Sequence, residues 1–380
     1  MSDQPTTPRS GLTLHPGSIL RQKLEEKGWS QGELAVVTGH RRQTISSIVA
    51  GKSGITAEMA VTLGAAFGND PADWLRWDAE YAVSVVGTKD NKVQKRARLY
   101  GLAPIRDMQK RGWIKDTADT EELEAELKRF FEVDSLDEQP QVIVAPRRAG
   151  GDEPLSPIQK AWCVRAKHLA TLLRVSKFDP AGLPDAEREL RELAAYRPEA
   201  RNLPRVLSKY GVRFVVVEPL PGAKIDGAAF WLDKASPVIA VSVRYDRLDG
   251  FWHTVMHECS HIRHGDAVVV DTDIVGESAR PDADLNERER RANKEAAATL
   301  IPPAELESFI RRVGPLYARQ RIIQFAHTLK IHPGIIIGQL QHRGEIGYSG
   351  LRDLLVKVRD VITETALTDG WGKSISPGLT

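Results

Sequence analysis

The five residues His257-Glu258-Cys259-Ser260-His261 constrain this chain more than any other stretch. On an α-helix, the i, i+4 spacing stacks two imidazoles one turn apart on one face, with a carboxylate beside them. Such a group needs a rigid mount, and its neighbours carry helix signals. Asp249 and Gly250 offer a start, Phe251, Val255, Cys259 and Ile262 fall at helical spacing on an apolar face, and Gly265 stands where a left-handed C-terminal cap is expected. The pattern predicts that His257 and His261 bind zinc, with Glu258 between the ligands and the core as general base for attack by water.

Two histidines do not hold a catalytic zinc, which takes three protein ligands and keeps the fourth position for water. Glu289 is the best third candidate. It opens a helical run to Pro302 whose alanines form a small-residue face suited to close packing and whose proline ends the helix. Asn293, one turn on, could orient the Glu289 carboxylate. Glu277, Asp273, Glu287 and His264 are rivals, each also readable as a surface group. One zinc per chain is expected. A second electrophile could come from His253, His327, His332 or Tyr317, and spacing selects none of them.

The run from Gly227 through Pro302, with Asp246-Arg247 ahead of Met256-His257-Glu258-Cys259-Ser260-His261 and then Glu289 to Pro302, resembles the ImmA/IrrE family of metallo-endopeptidases. The resemblance implies that His257, His261 and Glu289 bind zinc, gluzincin-like, that Glu258 is the general base, and that the substrate is a DNA-binding repressor. Where that family commonly has an aromatic residue after an Ala-Asn pair, this chain has Glu295, a change expected to touch packing more than chemistry.

The N-terminal stretch carries a second signal. Leu14 to Leu24 reads as an amphipathic helix around His15-Pro16-Gly17, Ser30 caps a second helix, Gly39 makes a turn, and Arg41 to Gly51 forms a third. That is helix-turn-helix spacing. The third helix exposes Arg41, Arg42, Gln43, Thr44, Ser46 and Ser47, which can donate to phosphates and base edges, while Ile45, Ile48 and Val49 face inward. Thr56 to Phe67 and Pro71 to Trp77 add two closing helices. Residues 14–78 resemble the HigA branch of the lambda-repressor-like (XRE) helix-turn-helix family at His15-Pro16-Gly17, Ser30-Gln31, Gln43-Thr44-Ile45-Ser46, Gly51-Lys52 and Ile55-Thr56. This resemblance implies an antitoxin or autorepressor role, a homodimer, an inverted-repeat operator, and DNA contacts that include Gln31 and Lys52.

Charge does not single out that domain: residues 1–80 hold 8 Lys/Arg and 9 Asp/Glu, a balance of −1. Residues 89–115 hold 9 Lys/Arg and 2 Asp/Glu, a balance of +7, which reads as an added DNA contact or as a solvated connector. Asp119 to Phe131 is a further helix and Asp137 to Pro157 a linker. Helices at Ile158 to Leu173 and Pro184 to Tyr196 precede strands at Val212 to Val217, Gly227 to Leu232 and Val238 to Val243. An edge strand of such a sheet could bind an extended peptide. After Pro302, Arg319 to Lys330 and Ile331 to Gln341 read as helices.

The 380 residues therefore read as an α+β chain, mainly α with a small β-sheet. A five-helix DNA-binding domain (1–85) leads into a basic helical connector and linker (86–157). A zincin-like metallopeptidase domain (158–345) and a C-terminal tail (346–380) follow. No apolar run approaches a membrane span, the polar start Met1 to Ser10 is not a secretory signal, and a cytoplasmic location is expected. Cys163 and Cys259 are too few for a disulfide scaffold, and buried free thiols are the default. The expected partners are operator DNA and a protein substrate of repressor or toxin–antitoxin type. The alternative is an antitoxin or autorepressor whose peptidase-like domain is a zinc-stabilised protein-binding module without turnover.

Overall fold

The computed structural model describes residues 14–86, 91–138, 155–266, 269–277, 279 and 281–370. The chain divides between Gln94 and Lys95 into two compact units. No helix among the described residues is long and apolar enough to cross a membrane.

The first unit holds α1 (Pro16–Lys27), α2 (Gln31–Thr38), α3 (Arg42–Val49), α4 (Ala57–Phe67) and α5 (Pro71–Val86). Local chemistry sets the boundaries. Ser30 and Glu33 form a reciprocal capping box on α2, Thr56 caps α4, and Gly28, Gly39 and Gly68 supply left-handed caps. Leu20, Leu34, Ile45, Ile48, Leu63 and Trp74 close the core.

His15-Pro16-Gly17 has a mechanical explanation. The His15 Nδ1 accepts from the Gly17 N–H at 2.8 Å, Pro16 occupies the first helical turn, and the imidazole meets Tyr81 edge-on at 4.5 Å. A Cβ on Gly17 would lie 1.9 Å from the Ile48 carbonyl oxygen, so the first turn of α1 rests directly on the last turn of α3. The same device recurs in the second unit: His332 Nδ1 accepts from the Gly334 N–H at 3.1 Å, and a Cβ on Gly334 would lie 2.9 Å from the Leu354 carbonyl.

The second unit contains α6 (Asn91–Leu102) from Lys95 on, α7 (Ile105–Lys110), α8 (Thr120–Phe131), α9 (Pro157–Leu172), α10 (Leu183–Leu193) and α11 (Leu203–Lys209). Strands β1 (Arg213–Val216), β2 (Ile225–Trp231) and β3 (Pro237–Val241) lead into α12 (Leu248–Arg263), and β4 (Val269–Thr272) returns to the sheet. Helices α13 (Glu287–Leu300), α14 (Pro303–Val313), α15 (Arg319–Leu329), α16 (Pro333–His342) and α17 (Arg359–Ile362) follow, then β5 (Leu367–Thr368). The sheet order is β4-β2-β3-β1-β5, with β1 parallel to β3 and β5, and β2 antiparallel to β3 and β4. Both faces are covered, so the central strands are apolar apart from Arg213 and the buried Asp226. Phe214, Val216, Ala229, Ile239 and Val241 join the core that holds α12, while Val215, Ala228, Phe230, Val238 and Ala240 pack with Trp162 and Leu127.

Two expected boundaries need correction. Residues 95–138 are not a solvated connector, because Leu99, Met108, Leu127 and Phe130 enter the same core as α9 and the sheet. The buried Arg111 guanidinium donates to the Glu218 and Pro219 carbonyls at 2.8 Å each and pairs with Asp369 at 3.3 Å. Nor is the stretch after 345 a tail. The Leu248 N–H donates to the Val356 carbonyl, Asp246 accepts from the Val358 and Arg359 N–H groups, and β5 pairs with β1. The expected linker at 139–154 and the residues after 370 lie outside the described residues.

Replacing Gly17 by Ala should cost the first unit about 1–3 kcal/mol, because backbone must move to admit the methyl group. Amide exchange in the full chain should accelerate across α1 and α3 while α12 is unaffected. Unchanged exchange in α1 and α3 would show that the two helices separate freely.

Candidate metal centre and helix-turn-helix surface

Helix α12 begins one or two residues earlier than its Asp249-Gly250 signal suggests, with Arg247 in the capping position, and Gly265 does adopt a positive φ of 62° after its end. Phe251, Val255, Cys259 and Ile262 are buried in one core cluster, which fixes the rotation of the helix. His257 and His261 then project together, their Nε2 atoms 3.0 Å apart. Helix α13 packs closely because Ala292 and Ala296 are fully buried. This brings Glu289 Oε2 to 3.2 Å from His257 Nε2 and 3.5 Å from His261 Nε2.

Strand β4 contributes a residue the sequence did not single out. Asp271 Oδ2 lies 3.4 Å from His257 Nε2 and 3.8 Å from His261 Nε2, and one donor atom from each of the four residues fits within 4.8 Å. An aspartate between Val270 and Thr272 carries no local signal, since only strand pairing brings it to the cluster. Of the rival ligands, Asp273 pairs with Arg244 at 2.8 Å, His264 meets Glu295 at 3.0 Å, and Glu287 is exposed; none of these, nor Glu277, belongs to the cluster.

Glu258 is fully buried beside these donors, and β2 makes room for it. A Cβ on Gly227 would lie 2.2 Å from Glu258 Oε1 and 2.7 Å from Thr254 Cγ2, so only glycine lets the carboxylate reach the sheet. Gly227 is the direct partner of Asp271 across the β2/β4 ladder. Both oxygens of Glu258 and of Asp271, Glu289 Oε1 and His257 Nδ1 are buried without a hydrogen-bond partner. Two imidazoles and two carboxylates are a donor set that zinc accepts, and an ion of that kind would satisfy these atoms.

Electrostatics follows from the crowding. Burial opposes the His257 cation, but the charges of Asp271 and Glu289 outweigh it and push the pKa up to about 10. Burial would likewise raise Glu289, yet its contacts with the two imidazoles hold it far below the usual carboxylate range. Burial and then the Asp271 charge drive Glu258 well above that range. Around the cluster, Asp266 orients His261 by accepting at Nδ1 over 2.9 Å and is itself held by Arg291 at 2.7 Å. Asn293 does not serve Glu289 as expected; it bonds to His253, whose pKa burial and the His257 charge depress to about 3. Glu295, where the resembling family has an aromatic residue, accepts from Ser260 Oγ at 2.7 Å and so ties α13 to α12.

Among the four possible electrophiles, His332 is engaged as a cap, Tyr317 donates to Glu345, and His327 is exposed. Only His253 neighbours the cluster, its ring centroid 6.3 Å from that of His257. It borders a cavity of about 470 Å³ between α12, α13 and α16 that none of the four donors lines. Cys163 and Cys259 are free and buried, and burial pushes both thiols up to about 12.

In the first unit, Ile45, Ile48 and Val49 anchor α3. Arg41, Arg42, Gln43, Thr44, Ser46 and Lys52 are exposed, and Gln31 and Ser47 half-buried. The basic run that follows is mostly matched internally. Lys95 pairs with Glu121 and Glu124 at 2.6 Å each, Arg98 with Asp137 at 2.5 Å, Lys115 with Glu122, and Arg96 donates to the Ala118 carbonyl.

The helix-turn-helix family profile matches residues 20–74, and the first unit is a helix-turn-helix domain. Virulence-associated protein A' of Dichelobacter nodosus is 40% identical over 74 residues, which span 19% of this chain and 64% of that protein. The antitoxin HigA of Pseudomonas aeruginosa, solved with the higBA promoter, is 33% identical, with 20% of this chain and 82% of that chain covered and a TM-score of 0.19. A HigA-family addiction module antidote protein of Coxiella burnetii is 28% identical, with 22% and 92% covered and a TM-score of 0.21.

Gly227→Ala should disrupt the cluster without altering any charged group. The added methyl must displace Glu258 or part β2 from α12, a cost of about 1–3 kcal/mol. Thermal unfolding of the second unit should shift down accordingly; an unshifted transition would show that the helix and the sheet are not in register as described.

Proposed function

We propose that the chain is a DNA-binding transcription regulator that carries a zinc-dependent endopeptidase of ImmA/IrrE type. The observation that carries the endopeptidase reading is a buried Glu258, without a hydrogen-bond partner, beside His257, His261 and Glu289. A zinc ion held by these three ligands would supply Lewis acidity toward water and the scissile carbonyl. Glu258 takes the proton of the attacking water on a carboxylate oxygen and returns it to the leaving amine. Asp266 holds the His261 ring in place, and Gly227 keeps space for Glu258. The substrate class is a regulatory protein, a repressor or a toxin–antitoxin component, acting in the cytoplasm.

A second reading has its own support. Asp271 offers a fourth donor and all four donors are buried, as in structural zinc sites, where no position is left open. On that reading the second unit is a metal-stabilised protein-binding module of an antitoxin or autorepressor.

Elemental analysis should find about one zinc per chain, with strong loss in His257→Ala, His261→Ala and Glu289→Ala. Glu258→Gln should keep the metal and lose about 10²–10⁴-fold in peptide cleavage, since it removes the base and no ligand. Undiminished cleavage by that variant overturns the mechanism, and absence of cleavage by the unaltered protein in every tested state leaves the module reading.

The DNA reading rests on the exposed polar face of α3 over a buried Ile45, Ile48 and Val49. A homodimer would place two such helices on an inverted repeat with half-sites about one helical turn apart. Gln43→Ala or Thr44→Ala should cost about 1–3 kcal/mol at the specific site and relax base preference, whereas Lys52→Ala should weaken all sequences and flatten the salt dependence. Footprinting on the protein's own promoter with salt titration measures both. Equal binding to promoter and random DNA removes the regulatory reading.

A further inference from the structure

We infer that Asp271 is the fourth donor to the metal and that β4 is a detachable strap holding it there, on the sheet edge an extended peptide would need. The inference deepens the endopeptidase reading and rests on it. A peptide presented for cleavage adds to a sheet edge by backbone hydrogen bonds. The strand beside Glu258 is β2, and β4 already pairs with its free edge, antiparallel, with Asp271 opposite Gly227. The carboxylate that β4 delivers points to the two imidazoles rather than to a cation of its own, and neither oxygen has a hydrogen-bond partner. His257, Glu258, His261 and Asp271 are fully buried, so a substrate cannot reach them while β4 is in place.

The attachments of β4 suit a strap. It is a four-residue edge strand with a register shift between Ile225 and Gly227. Beyond its pairing with β2, the segment is tied by the Ile274 N–H to Asp226, by Asp273 to Arg244, and by the Val270 side chain in the core. Short, irregular edges open at lower free energy than central strands. The Asp271 donor bond adds to these ties, and displacing β4 frees in one movement a coordination position and the strand seat.

The test uses the full chain loaded with cobalt(II), whose visible spectrum reports coordination, with acetohydroxamate as probe. The unaltered protein should show no spectral change with acetohydroxamate, while Asp271→Ala should bind it and hold the metal about tenfold or more weakly. Asp271→Asn, nearly isosteric, guards against misfolding and should behave like the alanine variant. Amide exchange in the loaded, unaltered protein should run about 100-fold faster in β4 than in β3, showing that β4 leaves the sheet without global unfolding. Equal hydroxamate binding by the unaltered and Asp271→Ala proteins overturns the fourth-donor role. Exchange of β4 in step with β3 overturns the strap. A full chain that takes up no cobalt removes the metal reading as a whole, whereas cleavage that survives Glu258→Gln strikes the endopeptidase reading alone.

Discussion

Three carboxylates and two imidazoles meet where water is excluded, and the second unit is arranged around that meeting. An ionised carboxylate in a dry interior costs several kcal/mol unless opposite charge or hydrogen bonds compensate it. Here Glu289 is balanced by the imidazoles, while Glu258 and Asp271 face the same small volume without hydrogen-bond partners. Packing this crowded is tolerated only when the elements that bring the groups together are held by strong interactions elsewhere. The apolar face of α12 and the alanine face of α13 provide that hold, and a single glycine on β2 lets the two layers close.

Polar interactions away from the cluster serve the same end. Asp246, at a positive φ of 46°, receives two N–H groups from the segment that starts α17, and Arg359 donates to the Val243 carbonyl at 2.9 Å. The loop that aims α12 is thus pinned by residues more than 100 positions later. On the other face, Arg111 binds the segment that follows β1 and reaches Asp369. A guanidinium can do this from a buried position because its fork satisfies several acceptors at once. Charge in the 95–115 stretch thus acts in part as an internal adhesive: Lys95 and Lys115 pair with glutamates of α8, Arg98 with Asp137 and Arg111 with Asp369.

The two units carry different kinds of chemistry on similar local devices. His15 and His332 each cap a helix through Nδ1 and each precede a proline and a tightly packed glycine. In the first unit this docks α1 on α3 and leaves the polar face of α3 outward. In the second it docks α16 against the Leu354 carbonyl.

Local sequence alone determined the five helices of the first unit, the inward face of α3, the helix that carries His257, Glu258 and His261, and the three central strands. These depend on caps, breakers and hydrophobic periodicity, which act within a few residues. The placement of Glu289 beside the two histidines was legible because helix α13 has a small-residue face that must pack against something. Asp271 and Gly227 were not legible as a pair, because they become neighbours only when β4 pairs with β2. The roles of Asn293, Asp266 and Glu295 depended on side-chain directions that spacing does not specify. The absorption of residues 95–138 and 346–370 into the cores on the two faces of the sheet was decided by tertiary structure, because a basic run or a mixed-charge end looks solvated until partners such as Glu121, Glu124, Glu218 and Asp369 are brought to it by the fold.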